Sequence, residues 1–506
     1  MNLIGLDIGT TSCKSVIFHC DGTLLAKASR EYSVEFPNDH WAEQDLNLVW
    51  KLAQDSIREA VTTARVTQVA AIGLSVHGEA VTPVDRHGNP LRPTILGMDT
   101  RTQKQNHWLM EHIGGKELYN RTGMPIHTIN TLPKLLWIKE NEPEIWKDAE
   151  KFLLIEDFFI YKFTGQYVIS DCLASRTQLF NLANGKWDLD ILNLIGLDAA
   201  KLSRIQPSGT IAGQVSLELT KDLGLSSPPF VVTGGHDQAC GALGVGLTKS
   251  GLAMVSTGTA EVVEVALPGP VLSKPLFEAN ISVYNHVVPG LFLAMTLNHS
   301  GGMALRWFRD GFCEAQVLQS AQENSDAYDL MLAAATLEPT DLLVLPHFSG
   351  SGTPTFDTQS KAAILGLTFS TTRAEVAKAI IEGLTYELRL NLDLLRQGGV
   401  KIDVLRAIGG GAKSKLWLQL KADITGIPVV TPKITEAAGF GASILAGVGA
   451  GVYSSAADAA DNFLELSDTY WPDPVRQEKF SRKFEIYKQI YQSLKPIHHQ
   501  LGREKQ

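Results

Sequence analysis

The chain has 506 residues, several times the usual single domain of about 100–150 residues, so two domains with a cleft between them are expected. Hydrophobic residues make up 44% and charged residues 20%, which is ordinary globular usage and excludes disordered and collagen-like chains. The 45 Lys and Arg against 54 Asp and Glu give a net charge of −9 without a basic run, so no nucleic-acid partner is expected.

The cysteines and the apolar runs indicate in which cellular compartment the protein is expected. The five cysteines are widely separated and form no CxxC pair, which favours neither a disulfide framework nor a zinc site. The chain opens directly on a strand pattern, without the charged and apolar regions of a secretory signal, so a reducing, cytoplasmic location is expected. The longest apolar run, 437–453, is broken by glycines and is shorter than the roughly 20 residues of a membrane span. It is expected to form a packed core helix, and no membrane partner is expected.

The first eighty residues alternate between strand and helix patterns. Apolar residues at 3–8, 15–18 and 24–32 predict a β-meander. Asp45 is a plausible N-cap for the helix pattern that follows, and a buried-strand pattern then leads into a loop at His77.

The second half of the chain repeats this plan. A strand ending at Gly258-Thr259 is followed by a second strand, and a helix at 374–395 leads into another buried strand. We therefore place the domain boundary near residue 246, which gives domains 1–246 and 247–506. The last segment, 474–506, is expected to be a charged helix on the outside of the second domain.

The turn after the first strand has the composition of a phosphate-binding loop. The hydroxyls of Thr10 and Thr11, the Lys14 ammonium and the backbone N–H groups can donate to phosphate oxygens, and Asp7 can hold a hydrated Mg²⁺. A plain hairpin with polar turn residues is the alternative. The matching Gly258-Thr259 turn favours the phosphate site, because two such turns can clamp one polyphosphate. The sequence contains no GxxxxGK[ST] loop.

Asp237 is the candidate catalytic base. It follows an apolar strand and two glycines near the domain junction, where a carboxylate would line the cleft. Phosphorylating an alcohol needs alignment, charge neutralisation and an acceptor for the hydroxyl proton, which one Asp can supply. The alternative is a turn residue or a helix N-cap. His236, beside it, is expected to be packed or solvated.

A third set of polar residues could bind the hydroxyls of a small polyol: His77, Gly78, Glu79, Asp99 and Arg101. Solvated surface loops often have the same composition, so that alternative stays open.

These residues stand in an arrangement that resembles the FGGY carbohydrate kinases of the actin/hexokinase superfamily. The resemblance spans nearly the whole chain. Its motifs are the opening loop Asp7–Lys14, Trp41–Asp45, Thr131–Asn141, the segment 362–382 and Gly409–Ser414.

The resemblance implies an α/β fold of two actin-like (ribonuclease H-like) domains with a deep interdomain cleft. ATP would lie mostly on the second domain and the sugar mostly on the first, with ATP and Mg²⁺ as cofactors. Family members are often dimers, so a homodimer is possible.

The resemblance also implies roles for individual residues. Asp237 matches the general base, and Asp7 matches the acid at the Mg²⁺ site. The remaining matches are nucleotide-binding positions. The first phosphate loop is matched by Thr10, Thr11 and Lys14, and the second by Gly258 and Thr259. The positions where backbone lies against the nucleotide are matched by Gly302, Gly410 and Gly411.

Among the subfamilies, the segments around His77 and Asp99 look most like xylulokinases. Ser75-Val76 and Gly97-Met98 depart from the usual residues, and Glu79 adds an acid. Glu79, Asp99 and Asp237 would make an acidic pocket that repels a sugar acid unless Arg101 paired with it, so a neutral ketopentose is expected. The alternatives are another polyol or sugar acid (glycerol, ribulose, gluconate), or a non-catalytic sugar-binding sensor. Both Asp7 and Asp237 are present, which disfavours the sensor.

Overall fold

The computed structural model describes residues 1–503. The first half of the chain builds a six-stranded sheet and the second half a seven-stranded sheet. Helices cover both sheets, so the architecture is mixed α/β.

The first half contains these strands: β1 (Asn2–Ile8), β2 (Ser12–His19), β3 (Leu24–Glu31), β4 (Glu43–Gln44), β5 (Ala71–Val76), β6 (Thr82–Val84), β7 (Thr94–Ile95), β8 (Lys151–Leu153), β9 (Val168–Ser170), β10 (Phe180–Asn181), β11 (Lys186–Trp187), β12 (Arg204–Gln206), β13 (Ile211–Gln214) and β14 (Phe230–His236). Its helices are α1 (Leu46–Ala64), α2 (Gln103–His112), α3 (Gly115–Thr122), α4 (Thr131–Asn141), α5 (Pro143–Asp148), α6 (Ile155–Thr164), α7 (Asp171–Ala174), α8 (Leu189–Ile195), α9 (Leu217–Asp222) and α10 (Asp237–Gly244).

The second half contains these strands: β15 (Gly251–Thr257), β16 (Glu261–Leu267), β17 (Ser282–Asn285), β18 (Phe292–Asn298), β19 (Leu343–Leu345), β20 (Ala363–Leu365), β21 (Ile402–Gly409), β22 (Val429–Pro432) and β23 (Leu466–Tyr470). Its helices are α11 (Lys274–Glu278), α12 (Gly302–Phe312), α13 (Glu314–Glu323), α14 (Ala327–Leu332), α15 (Arg373–Gln397), α16 (Lys415–Thr425), α17 (Ala437–Gly449), α18 (Ala456–Phe463) and α19 (Pro474–Arg503).

The first sheet has the strand order β13-β14-β5-β1-β2-β3. Strands β1, β2 and β3 form the predicted antiparallel meander. The predicted helix follows as α1, where the Asp45 side chain accepts hydrogen bonds from the N–H groups of Asn47 and Leu48. The chain then returns as β5, parallel to β1, and β14 adds a further parallel strand beside β5.

The second sheet repeats this arrangement, as predicted. Its order is β17-β18-β16-β15-β21-β22-β23. Strand β15 is antiparallel to β16 and parallel to β21, as β1 is to β2 and β5. The long helix α15 precedes β21, as α1 precedes β5.

The apolar run at 437–453 forms the predicted core helix, α17, but this helix packs on the first sheet. A Cβ on Gly5 of β1 would overlap the carbonyl oxygen of Gly439, and a Cβ on Gly73 of β5 would overlap that of Ala442. The helix backbone therefore lies directly on the strand backbones. Because a helix of the second half covers the first sheet, the division into 1–246 and 247–506 stays a prediction.

The predicted C-terminal helix is α19, which runs to Arg503; residues 504–506 lie outside the described residues. Phe480, Phe484 and Tyr487 bury their rings in a core that α19 shares with α15 and α16. Within the described residues, no helix has the length and apolar character needed to cross a bilayer.

Candidate active site

The candidate site begins where three parallel strands of the first sheet end side by side. Val76 at the end of β5 pairs with Ile8 of β1 on one side and with His236 of β14 on the other. The residues that follow these strands therefore meet at one edge of the sheet, where open α/β sheets place their ligands. This edge brings together Gly9, His77 and Asp237.

Asp237 is the first residue of α10 and is part-buried. Its Oδ1 accepts a hydrogen bond from the N–H of Gln238 at 2.6 Å and lies 3.4 Å from Nε2 of His236. Burial, and then the charge of Asp7, raise the pKa of the Asp237 carboxyl to about 7. The N-cap of α10 is His236, so the side chain of Asp237 is not used as an N-cap. His236 itself is buried, as expected.

Asp7 lies on β1, next to this edge. Its Oδ1 accepts a hydrogen bond from the Ser75 hydroxyl at 2.6 Å, and burial raises the pKa of the carboxyl. Among the described residues, no donor is hydrogen-bonded to Oδ2 of Asp7. No group of three or more His, Cys, Asp or Glu residues that could hold a metal ion occurs in residues 1–503. Mg²⁺ usually takes one or two carboxylates together with waters and substrate phosphates, so the residues fit an ion that arrives with a nucleotide.

The first predicted phosphate loop is the turn between β1 and β2. Gly9 and Ser12 close this turn through a backbone hydrogen bond, and Thr10 and Thr11 form its tip. Lys14 follows on β2, opposite Asp7, and its Nζ binds Oε2 of Glu436 at 2.6 Å. Glu436 immediately precedes α17, so the loop is tied to the second half of the chain.

The second predicted phosphate loop is the turn between β15 and β16. The backbone N–H of Gly302 donates to the carbonyl of Gly258 at 2.7 Å, and Thr259 accepts similarly from Gly301. Gly410 and Gly411 lie on the other side of the turn. They form a short 3₁₀ turn directly after Gly409, which pairs with Thr257. The structure therefore brings together the residues of the second half that are predicted to bind the nucleotide: Gly258, Thr259, Gly302, Gly410 and Gly411.

A cavity of about 650 Å³ lies between the two halves. Asp7 and Lys14 of the first half and Ser256, Gly409 and Ala412 of the second half line it. Pockets of several hundred Å³ are the usual size for small-molecule and cofactor sites. Among the predicted site residues, Asp7 and Lys14 line this cavity, whereas the tips of the two predicted phosphate loops, Thr10-Thr11 and Gly258-Thr259, are not part of its lining.

His77 and Gly78 lie against His236 at the strand edge. The His77 ring is buried, and its Nε2 has no hydrogen-bond partner among the described residues. Burial lowers the pKa of His77 to about 4, so the ring is neutral at physiological pH. Nε2 is therefore an unpartnered polar atom beside the candidate base.

Glu79 adopts a left-handed backbone conformation, with φ at 61°, and its carboxylate is held by a residue that the sequence did not indicate. Nε of Arg176 donates to Oε1 of Glu79 at 2.6 Å, and Nη2 forms an ion pair with the same oxygen. Buried Lys134 donates to the backbone carbonyl of Glu79 at 3.1 Å. Lys134 falls within the Thr131–Asn141 motif, whereas nothing in the sequence around Arg176 pointed to this pairing.

Asp99 and Arg101 bind each other inside the first half. The Asp99 carboxylate accepts hydrogen bonds from the Arg101 guanidinium and from the N–H of Ala42. Arg101 also pairs with Glu43 at 2.8 Å and lies 3.9 Å from the ring centroid of Trp41. The expected charge count of the pocket is therefore wrong, because Glu79 and Asp99 are each neutralised by an arginine.

Comparison with known proteins identifies the family of the chain. Residues 2–244 match the N-terminal domain of the FGGY family of carbohydrate kinases, and residues 253–450 match its C-terminal domain. The chain is 30% identical over 501 residues to a xylulose kinase of Staphylococcus epidermidis, covering 98% of this chain and 97% of that protein. It is also 30% identical over 506 residues to an autoinducer-2 kinase of Escherichia coli, covering 97% and 94%.

Among solved structures, a xylulose kinase from Lactobacillus acidophilus matches with a TM-score of 0.90 at 23% identity, over 99% of each chain. This likeness confirms the predicted two-domain α/β fold. Because the two family matches together cover most of the sequence, the chain belongs to the FGGY family of carbohydrate kinases.

Proposed function

We propose that this carbohydrate kinase transfers the γ-phosphoryl group of ATP to a terminal hydroxyl of a small neutral sugar, with Asp237 as the general base. A ketopentose such as xylulose is the proposed substrate. The observation that carries the proposal is the position of Asp237, at the end of β14 beside Asp7 and with a pKa of about 7. A base with a pKa near the working pH combines ionisation with proton affinity.

In this mechanism the Asp237 carboxylate accepts the proton of the sugar hydroxyl as the hydroxyl oxygen attacks the γ-phosphorus of ATP. The bond from that phosphorus to the bridging oxygen breaks, and ADP leaves. The protein's other tasks are alignment and charge neutralisation, because phosphoryl transfer needs little further covalent help. Thr10, Thr11 and Lys14 would bind phosphate oxygens from one side, and the Gly258-Thr259 turn from the other. Lys14 then exchanges its pairing with Glu436 for the phosphates.

Asp7 would hold Mg²⁺, which neutralises charge on the phosphates when it is bound. The small residues Gly302, Gly410 and Gly411 would let the backbone lie against the nucleotide. Their hydrogen bonds and packing around the β15–β16 turn support this assignment.

For the sugar, the paired charges of the first half favour a neutral molecule. Among the described residues of this part, the guanidinium groups of Arg101 and Arg176 both bind carboxylates, and Lys134 binds backbone carbonyls. A sugar acid would therefore find no free cation here, whereas neutral hydroxyls can pair with His77 and Glu79. The 30% identity to a xylulose kinase supports a ketopentose.

The equal identity to an autoinducer-2 kinase supports a second candidate, phosphorylation of another small hydroxylated molecule. In the substrate panel below, turnover of a ketopentose would favour the first candidate, and turnover of a ketohexose or a polyol in its place would favour the second. A sensor without catalysis is disfavoured because Asp7 and Asp237 lie near the ends of β1 and β14, the two strands that flank β5.

The test is coupled ADP release from MgATP across ketopentoses, ketohexoses, polyols and gluconate, for wild type and Asp237→Asn. We expect turnover of one neutral sugar and a loss of at least about 100-fold in kcat for the variant, with sugar binding retained. Asp45→Asn is the matched control, because Asn caps a helix as well as Asp and turnover should be unchanged. Sugar-independent background alone, full activity of Asp237→Asn, or a clear preference for gluconate would each contradict the proposal.

A further inference from the structure

Strand β14 carries a β-bulge just before the candidate base. Val232 pairs with Gly73, and Gly235 pairs with Ser75, so Thr233 and Gly234 together face the single residue Leu74. Bulges bend a strand and re-aim the side chains that follow, and they are common beside active sites. The orientation of the Asp237 side chain, directly after β14, therefore depends on the conformation of this bulge.

The bulge can form only with glycine at position 234. A Cβ there would overlap the carbonyl oxygen of Leu74, so the two backbones are in direct contact. The N–H of Gly234 donates to Oε1 of Glu156 at 2.7 Å. One side chain thus binds the bulge directly.

Glu156 is itself fixed on several sides. It lies on α6, is fully buried, and its Oε2 accepts hydrogen bonds from the N–H and the hydroxyl of Ser170, at 2.9 and 2.6 Å. Ser170 in turn caps α7 by accepting from the N–H of Leu173. The carboxylate is therefore a rigid bridge between the end of β9 and the bulge of β14.

We propose that Glu156 is a positioning residue for Asp237: it holds the bulge of β14 in the one conformation that aims the base at the sugar hydroxyl. This inference rests on the proposed function of Asp237. Displacing a catalytic group by about 1 Å can cost about 100-fold in rate, even when the substitution lies away from the reacting atoms. Loss of Glu156 should therefore lower kcat rather than weaken binding.

The neighbouring residue supplies a matched control. Asp157 is on the same helix and equally buried, but its Oδ2 accepts from the Ser203 hydroxyl at 2.6 Å and makes no hydrogen bond to β14. Substitutions at the two positions remove the same kind of buried carboxylate. Only substitutions at Glu156 affect the hydrogen bond that holds the bulge of β14.

The experiment compares Glu156→Leu and Glu156→Gln with Asp157→Leu and Asp157→Asn, at a temperature where each variant is folded. We expect Glu156→Leu to lower kcat by about 10- to 100-fold with the KM values for sugar and ATP unchanged. Glu156→Gln keeps one acceptor oxygen and should lose less. Both Asp157 variants should lose thermal stability while keeping kcat per folded molecule.

Amide hydrogen exchange of the segment 230–240 provides a readout independent of activity. Exchange should accelerate in Glu156→Leu and remain at the wild-type level in Asp157→Leu. Wild-type exchange or wild-type kcat in Glu156→Leu, or equal losses of kcat at both positions, would overturn the proposal. If Glu156→Leu does not fold, Glu156→Gln against Asp157→Asn carries the same comparison. A wild-type protein without kinase activity would refute the function of Asp237 and leave the exchange result to decide the role of Glu156.

Discussion

At the scale of single residues, the site depends on carboxylates whose proton affinity the fold has changed. Asp237 must be ionised to accept a proton, and its pKa is raised to about 7, first by burial and then by the charge of Asp7. The ionised fraction therefore grows as the pH rises through neutrality. The active form should be largely lost in mildly acidic solution.

We therefore expect kcat/KM for the sugar to rise between about pH 6 and 8 and then to level off, with an apparent pKa near that of Asp237. The measurement is a pH–rate profile at subsaturating sugar, with the residual activity of Asp237→Asn as the control. That residual activity should lack the acid limb. A profile that is flat over this range in the wild type would show that Asp237 is not the titrating base.

The sequence located some of these residues and missed others for physical reasons. Asp7 lies near the end of one strand pattern and Asp237 directly follows another, and parallel strands align their ends, so their proximity could be anticipated. Arg176 and Glu156 act through contacts between segments far apart in the chain, with no local pattern to mark them. The charge count failed for the same reason, because the arginine partner of Glu79 is known only once the chain is folded.

At the scale of elements, α17 packs backbone against backbone on the first sheet and on α10. A Cβ on Gly441 of α17 would overlap the carbonyl oxygen of Cys240 in α10. The sequence predicted a core helix here, but it gave no reason to expect packing on the first sheet. The helix packs there because glycines on the strands and on α17 let the backbones touch. These glycines are far apart in the chain and come together only in the folded protein.

This packing predicts opposite effects for one substitution at two helical glycines. Gly441→Ala must push two helix backbones apart and should lower the free energy of unfolding by about 1–3 kcal/mol. Gly311→Ala, in α12, meets no atom within 4 Å and should raise stability by up to about 1 kcal/mol through helix propensity. Thermal or denaturant unfolding of the two variants measures both. A stabilised Gly441→Ala would show that α17 does not lie as close to α10 as described.

At the scale of the whole molecule, the two halves meet around the guanidinium of Arg176. On the first-half side it binds Glu79, which follows the strand edge of the site. On the other side its Nη1 donates to the hydroxyl of Ser282 at 3.1 Å, and its Cζ lies 4.6 Å from the ring centroid of Tyr284. Both of these partners belong to β17 of the second sheet. The buried guanidinium of Arg176 thus connects Glu79, a predicted sugar-binding residue, to the half that carries the candidate nucleotide site.

Removing this cation should be costly, because it leaves the Glu79 carboxylate buried without a partner. We expect Arg176→Met to lower the free energy of unfolding by about 3–5 kcal/mol, and Glu79→Gln in the same chain to restore part of the loss. Arg482→Met, which breaks an ion pair to Glu478 in which both side chains are exposed, should change stability by less than about 1 kcal/mol. Denaturant unfolding of the single and double variants gives the coupling energy between Arg176 and Glu79. Additive losses would mean that Arg176 and Glu79 contribute nothing to stability as a pair.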